Sequence, residues 1–147
     1  MDNKMFCFQC EQTAGCSGCT GNAGVCGKTA DVAKLQDELT GALVGLARAA
    51  ANAPEVSADT WRLMIEGLFT TVTNVNFNEK TLRSLIDQVH EERARLVPGC
   101  SACASVCGRT DNYDMESLWT TQEDIRSLKS LILFGVRGMA AYAHHAM

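Results

Sequence analysis

The sequence predicts a mainly α protein, a helical bundle preceded by a glycine- and cysteine-rich loop that binds a metal cluster. Only 6% of the 147 residues are aromatic and only two are proline, which favours packed helices over a sheet sandwich or barrel. Apolar residues recur at helical spacing from residue 29 onward, and glycines crowd the segment before it. A chain of this length with 46% apolar residues can bury one modest core. We therefore expect residues 1–28 to form the loop and residues 29–147 the bundle, together as one domain.

Two helices are predicted in the first half of the bundle. The first runs from Ala30 to Asn52 with Thr29 as its cap, and Asn52-Ala53-Pro54 ends it. The second is capped by Ser57 or Asp59 and ends near Thr73-Asn74. Their apolar faces are Leu35, Leu39, Leu43 and Leu46 in the first helix, and Trp61, Met64, Ile65, Leu68 and Val72 in the second.

Two more helices are predicted in the second half. A third begins at Asn78 and ends at Pro98-Gly99, with Glu91, Glu92, Arg93 and Arg95 on its solvated side. A loop then continues to about Asp114. The last helix starts after Thr121, whose hydroxyl can cap it, and continues to the C-terminus as a core helix. Because no Gly, Pro or polar tail ends that helix, we expect the chain to be cut from a longer protein.

Charge and hydropathy exclude several classes of partner. The formal net charge of −4 provides no basic surface for nucleic acid. The N-terminus lacks the pattern of an export signal, so we expect a cytoplasmic protein. The most apolar stretch, Leu128 to Ala143, contains Lys129 and Arg137 and is shorter than the roughly 18 to 20 residues of a membrane span. No membrane association is expected.

Eight cysteines in a cytoplasmic chain indicate metal or redox chemistry rather than disulfides. Five lie within one glycine-rich segment, at Cys7, Cys10, Cys16, Cys19 and Cys26. Such a loop can wrap an iron-sulfur cluster and direct backbone N–H groups at its anionic sulfides. A zinc site is the alternative, because the pairs Cys7/Cys10 and Cys16/Cys19 could form a closed tetrahedron and would leave Cys26 unused.

The remaining cysteines and the histidines carry weaker signals. A second metal site could consist of Cys100, Cys103 and Cys107 together with Cys16. Alternatively, the three residues lie in an exposed loop as reactive thiols or form an adventitious disulfide. His144 and His145 are adjacent, so on a helix they do not form the i, i+4 pair expected of two ligands. His90 lies in a charged stretch and is expected to be solvated.

Several segments resemble the N-terminal part of the hybrid-cluster proteins, also known as the prismane or hydroxylamine reductase family. The similarity covers nearly the whole chain. The matching segments are Met5 to Thr13 (MFCFQCEQT), Gly18 to Thr20, Gly24 to Lys28 (GVCGK), Leu35 to Asp37, Leu68 to Phe77, Asp124 to Leu128 and Gly138 to Ala146.

The resemblance implies a ligand set. The family's four ligands fall on Cys7, Cys10, Cys19 and Cys26, and Cys16 is left over. The gaps between them are two, eight and six residues. The short middle gap is similar to that of members with a four-iron, four-sulfur (4Fe-4S) cluster, whereas members with a longer gap can hold a two-iron cluster.

The resemblance also implies a function. Full-length members reduce hydroxylamine to ammonia, or handle nitric oxide, at a hybrid cluster in later α/β domains that this chain does not contain. It implies that the chain is an iron-sulfur electron-transfer module without activity of its own, whose partners are an electron donor protein and the remaining domains. Two other interpretations stay open, a zinc-stabilised helical interaction module and a free-standing small iron-sulfur redox or sensor protein.

Overall fold

The computed structural model describes residues 5–10, 18–97 and 113–147. These ranges contain five helices and no extended strand, which confirms the mainly α prediction for them. Residues 5–10 and 18–29, the N-terminal segment, contain two isolated antiparallel bridges instead of a helix. The helices are α1 (Ala30–Asn52), α2 (Ala58–Thr70), α3 (Glu79–Leu96), α4 (Met115–Thr120) and α5 (Glu123–Ala146).

Three helices begin where the sequence predicts. The Thr29 hydroxyl accepts a hydrogen bond from the Val32 amide at 3.3 Å, and α1 then spans the predicted residues. Ser57 rather than Asp59 caps α2, and the side chain of Asn78 caps α3. The short polar side chains before each apolar run were therefore sufficient to locate these starts.

One predicted helix end and one predicted cap are wrong, and one helix was not predicted. Helix α2 ends at Thr70 rather than near Thr73-Asn74, and Asn74 then takes a left-handed conformation with φ of 64°. Helix α5 does not use Thr121 as its cap, because it begins one residue later than that cap would allow; Thr121 terminates α4, and Gln122 precedes α5 without a side-chain capping bond. Helix α4 itself lies where no helix was predicted, capped by the Asp114 carboxylate, which accepts from the Glu116 amide at 2.9 Å.

The main core lies between α1, α2 and α3. Helix α1 packs chiefly on α3, and α2 packs chiefly on α5. The approach of α1 to α2 is close, since a Cβ atom on Gly67 would lie 2.9 Å from the Cδ2 atom of Leu43. The fully buried apolar side chains of this core include Leu39, Leu46, Leu82 and Val89.

Helix α5 is not the core helix that the sequence predicts. It buries only Ser130, Arg137 and Ala140, so its polar and small side faces α2. Its large apolar residues are exposed instead: Leu128, Leu131, Ile132, Met139 and Tyr142, with Tyr142 84% exposed. None of the helices in the described ranges has the length and apolar character that a membrane crossing requires.

Four further side chains differ from their predicted environments. Trp61 is 51% exposed, although it was expected on the inner face of α2. Glu92 and Arg93 are buried, because α3 turns this part of its polar face toward α2, where the Thr60 hydroxyl donates to the Glu92 carboxylate. His90 is half-buried rather than solvated.

Candidate metal centre

Cys7 and Cys19 pair directly across an antiparallel bridge. The Cys7 amide donates to the Cys19 carbonyl at 3.1 Å, and the Cys19 amide donates to the Cys7 carbonyl at 2.8 Å. Residues directly opposite in such a pair project their side chains to the same face, with Cβ atoms about 5 Å apart. The backbone therefore brings two of the predicted ligands, from opposite ends of residues 7–19, to one face.

Gly18 permits this pairing. Its φ of +140° is one that side-chain-bearing residues rarely adopt, and a Cβ atom there would lie 2.9 Å from the ring of Phe6. A larger residue would therefore separate the segment containing Phe6 from the segment containing Cys19.

Cys26 lies in a turn that leads into α1. The second bridge joins Ala23 to Thr29, and inside it the Gly24 amide donates to the Lys28 carbonyl at 2.8 Å. A Cβ atom on Gly24 would lie 3.2 Å from Cε of Met5 and 3.5 Å from Sγ of Cys26. Because Met5 precedes Cys7 by two residues, this close approach holds the turn that contains Cys26 against the stretch that contains Cys7.

A buried polar chain connects Cys7 to α1. Lys28 is only 1% exposed, and its Nζ atom donates to Sγ of Cys7 at 3.7 Å and to Oε1 of Gln9 at 3.0 Å. Nε2 of Gln9 in turn donates to Oδ1 of Asp37 on α1 at 2.8 Å. One chain of hydrogen bonds therefore connects Cys7, through Lys28 and Gln9, to Asp37 on α1.

Burial shifts the pKa values along this chain. It raises the pKa of the Cys7 thiol, an effect that the positive charge of Lys28 partly opposes. It also raises the pKa of the Asp37 carboxyl, against the hydrogen bond from Gln9 and the charge of Arg137. Because a metal ligand must be a thiolate, binding a metal at Cys7 would release a proton.

Arg137 brings a second buried cation from α5 to the same region. Its Nε atom donates to the Thr71 hydroxyl at 3.0 Å, and one terminal nitrogen donates to the Thr40 hydroxyl at 2.9 Å. Burial lowers the pKa of Arg137 to about 10, so the side chain is a cation at neutral pH. Arg137 thereby fixes α5 to α1 and to the end of α2.

Aromatic side chains hold the N-terminal segment against α4. The rings of Phe6 and Phe8 both meet Trp119 edge-on, with centroid separations of 5.7 and 5.1 Å. Since Phe6 and Phe8 flank Cys7, this contact fixes the segment on both sides of the first predicted ligand. The sequence predicts no helix at this position, so it gives no sign of the contact that Trp119 makes.

All four predicted ligands, Cys7, Cys10, Cys19 and Cys26, are reduced thiols. Cys7 and Cys19 are buried, and Cys10 and Cys26 are half-buried. Four thiols form the usual donor set of an iron-sulfur cluster, so the chemistry of these residues fits that group. Within residues 5–10, 18–97 and 113–147, no three His, Cys, Asp or Glu side chains are arranged to hold a metal ion. The ligand set thus stays a prediction.

The other candidate residues divide into two groups. Predictions for Cys16, Cys100, Cys103 and Cys107 concern residues outside the described ranges. The rings of His144 and His145 both contact Phe69, at centroid distances of 4.2 and 5.4 Å. Sequence reasoning missed Gln9, Lys28 and Asp37 as parts of the site; their available signal was that all three lie inside the segments that resemble the family.

Comparison with known proteins gives a family and a set of relatives. Residues 5–147 match the Prismane/CO dehydrogenase family. The chain is 41% identical to the hydroxylamine reductase of Clostridium perfringens and 42% identical to that of Caldanaerobacter subterraneus subsp. tengcongensis, with 97% of this chain and 30% of each relative covered. It is 36% identical to the hydroxylamine reductase of Clostridium novyi, with 97% and 29% covered. The chain thus spans about 30% of the length of these relatives.

Proposed function

Because this chain belongs to the Prismane/CO dehydrogenase family, we propose that it is the iron-sulfur electron-transfer module of a hydroxylamine reductase. Its relatives are named hydroxylamine reductases, and the chain covers about 30% of the length of each. Reduction of hydroxylamine to ammonia is accordingly proposed for the longer protein. The module's task is to receive electrons from a cytoplasmic donor protein and pass them to the remaining domains.

The antiparallel pairing of Cys7 with Cys19 is the observation that carries this proposal. The pairing holds the stretch that contains Cys7 and Cys10 against the stretch that contains Cys19. The close approach of Met5 to Gly24 holds the turn that contains Cys26 against the same stretch. We assign Cys7, Cys10, Cys19 and Cys26 as the ligands of one 4Fe-4S cluster. When bound, such a cluster would accept and release one electron at a time.

The described residues supply the surroundings that such a group requires. Lys28 and Arg137 place positive charge beside an anionic donor set, and burial of Cys7 and Cys19 limits access of water. Half-buried Cys10 and Cys26 leave one side of the site near the surface, where a donor protein can approach. Residues 1–28 act as the cluster-binding loop and residues 29–147 as its helical support within one domain.

The test is the metal content of protein purified without oxygen. We expect iron and acid-labile sulfide in equal amounts, and an electron paramagnetic resonance signal of a 4Fe-4S cluster after reduction. Replacing Cys7, Cys10, Cys19 or Cys26 singly by Ser should abolish the cluster, whereas the control Cys16→Ser should retain it. Zinc in place of iron, or full iron content in any of the four variants, would contradict the assignment.

A second measurement concerns activity. The purified chain should not reduce hydroxylamine with a reduced viologen at a rate above that of free iron and sulfide. Sustained turnover by this chain alone would contradict its proposed role as a module of a longer enzyme.

A further inference from the structure

Lys28 holds an ammonium group where an unpaired charge would be costly. The side chain is 1% exposed, and transfer of an ammonium from water to such a place is strongly unfavourable unless its donors find acceptors. An aliphatic residue of similar length would fill the same space without that cost. The charge of Lys28 therefore needs an explanation beyond packing.

Two neighbours fix the orientation of this ammonium. The Gln9 side chain accepts from Lys28 through Oε1 and donates to Asp37 through Nε2. Because the amide is engaged at both ends, its carbonyl oxygen points at Lys28, and α1 anchors the arrangement through Asp37. The ammonium is left with a hydrogen directed at Sγ of Cys7.

We propose that Lys28 is a positioning residue that raises the reduction potential of the iron-sulfur cluster through its hydrogen bond to Sγ of Cys7. The inference rests on the proposed function, since it assumes that Cys7 is a ligand. Reduction adds one electron to the cluster, breaks no bond and makes the group more negative by one charge. A cation beside a ligand sulfur stabilises the reduced state more than the oxidised state, and burial strengthens the effect.

The test is the midpoint potential of the cluster, titrated with dithionite and followed by electron paramagnetic resonance. The variant Lys28→Gln removes the charge, and the control Lys34→Gln removes one charge from an exposed lysine of α1. We expect Lys28→Gln to change the ratio of reduced to oxidised cluster at least tenfold toward oxidised, which lowers the potential by about 59 mV for one electron. Lys34→Gln should shift it much less, and Lys28→Arg should remain near the wild type.

The outcomes separate this inference from the proposed function. A wild-type protein without any cluster would refute the proposed function itself. A Lys28→Gln protein with a full cluster at the wild-type potential would overturn the role of Lys28 and leave the proposed function intact.

A measurement on the wild type covers the case in which Lys28→Gln fails to assemble a cluster. Acylation of lysines with an activated ester, mapped by mass spectrometry, should spare Lys28 in the cluster-loaded protein and modify Lys34. Removal of the cluster should expose Lys28 to the reagent. If Lys28 in the loaded protein reacts as fast as Lys34, its ammonium is not held at Cys7 and the inference is wrong.

Discussion

The helices α1 to α3 and the N-terminal segment are stabilised by different interactions. The helices share a continuous apolar core in which Leu39, Leu46, Leu82 and Val89 are fully buried. The N-terminal segment has a small apolar cluster of its own, consisting of Met5, Cys7 and Cys19 with Ala30 and Ala33 of α1. Two of its five members are predicted metal ligands, and two others belong to the helix on which it rests.

This difference predicts which region depends on the proposed metal cluster. Ordering the backbone costs about 1–2 kcal/mol per residue, and burial of one apolar side chain returns about 1.5–3 kcal/mol. The helices meet this cost through many apolar contacts. The N-terminal segment has few, and on the proposed function bonds from its thiols to a metal cluster would supply the rest.

Removing the iron should separate the two regions most strongly. After extraction of the cluster with a chelator and an oxidant, we expect amide hydrogens of residues 5–10 and 18–28 to lose their protection from exchange. The far-ultraviolet circular dichroism of the helices should largely survive, because their core contains no metal ligand. Unchanged protection of these residues would show that packing alone holds the N-terminal segment, and the comparison would fail.

A cavity in the main core should destabilise the helices and leave the metal content unchanged. Leu39→Ala removes a fully buried side chain from α1 and should lower the free energy of unfolding by about 2–5 kcal/mol in urea denaturation. The matched control is Leu131→Ala on α5, where the side chain is 69% exposed and the expected change is within about 0.5 kcal/mol. Iron content should be the same in both variants. Equal losses of stability would show that the core is not centred on α1.

Arg137 tests how α5 is attached to the other helices. Arg137→Met should lower the free energy of unfolding by about 1–3 kcal/mol, because the buried Thr40 and Thr71 hydroxyls each lose a donor. As a control, Arg62→Met removes an exposed ion pair with Asp59 and should cost about 0–1 kcal/mol. A smaller effect at Arg137 than at Arg62 would contradict the structural role of the buried arginine.

The smallest expected effect is a pH dependence caused by Asp37. Its pKa is raised in the folded protein, chiefly by burial, so the native state holds this proton more tightly than the unfolded state does. The resulting stabilisation is complete below the unfolded pKa of about 3.9 and is lost as the pH rises through the folded pKa. With its N-terminal segment folded, the wild type should therefore lose stability relative to Asp37→Asn as the pH is raised from about 4 toward neutrality. If the difference in unfolding free energy between the two proteins is constant with pH, or changes in the opposite direction, Asp37 does not have this effect.

Local signals in the sequence were sufficient for most of the helices. Thr29 and Ser57 locate the starts of α1 and α2 because a cap acts within three residues of itself. Helix α4 escaped prediction because six residues are too few for a periodic pattern, and its Trp119 packs on Phe6 and Phe8 from the other end of the chain. The exposed face of α5 escaped it as well, since an apolar pattern does not show which side of a helix meets a neighbour.

The sequence predicts a ligand set for the candidate site, but it does not predict the geometry that the structure shows. Cysteine spacing is visible in the sequence, whereas the pairing of Cys7 with Cys19 depends on a bridge between two separate stretches of backbone. Lys28 was missed for another reason. Lysine is almost never fully buried unless it is paired, and the partners that bury it here, Gln9 and Cys7, lie about 20 residues earlier in the chain.

The Cys7–Cys19 bridge also has a kinetic consequence, because it closes a loop of about a dozen residues. Loops of about 10 residues close within about 10–100 ns, and the entropic cost of closing them is small. The two thiols therefore meet many times during the slower assembly of α1 with α3, whose paired residues lie farther apart in the chain. Incoming iron and sulfide would find the first pair of ligands already close together. On the proposed function, the supply of iron and sulfide would then set the rate of cluster acquisition, and the search of the chain for its own cysteines would not.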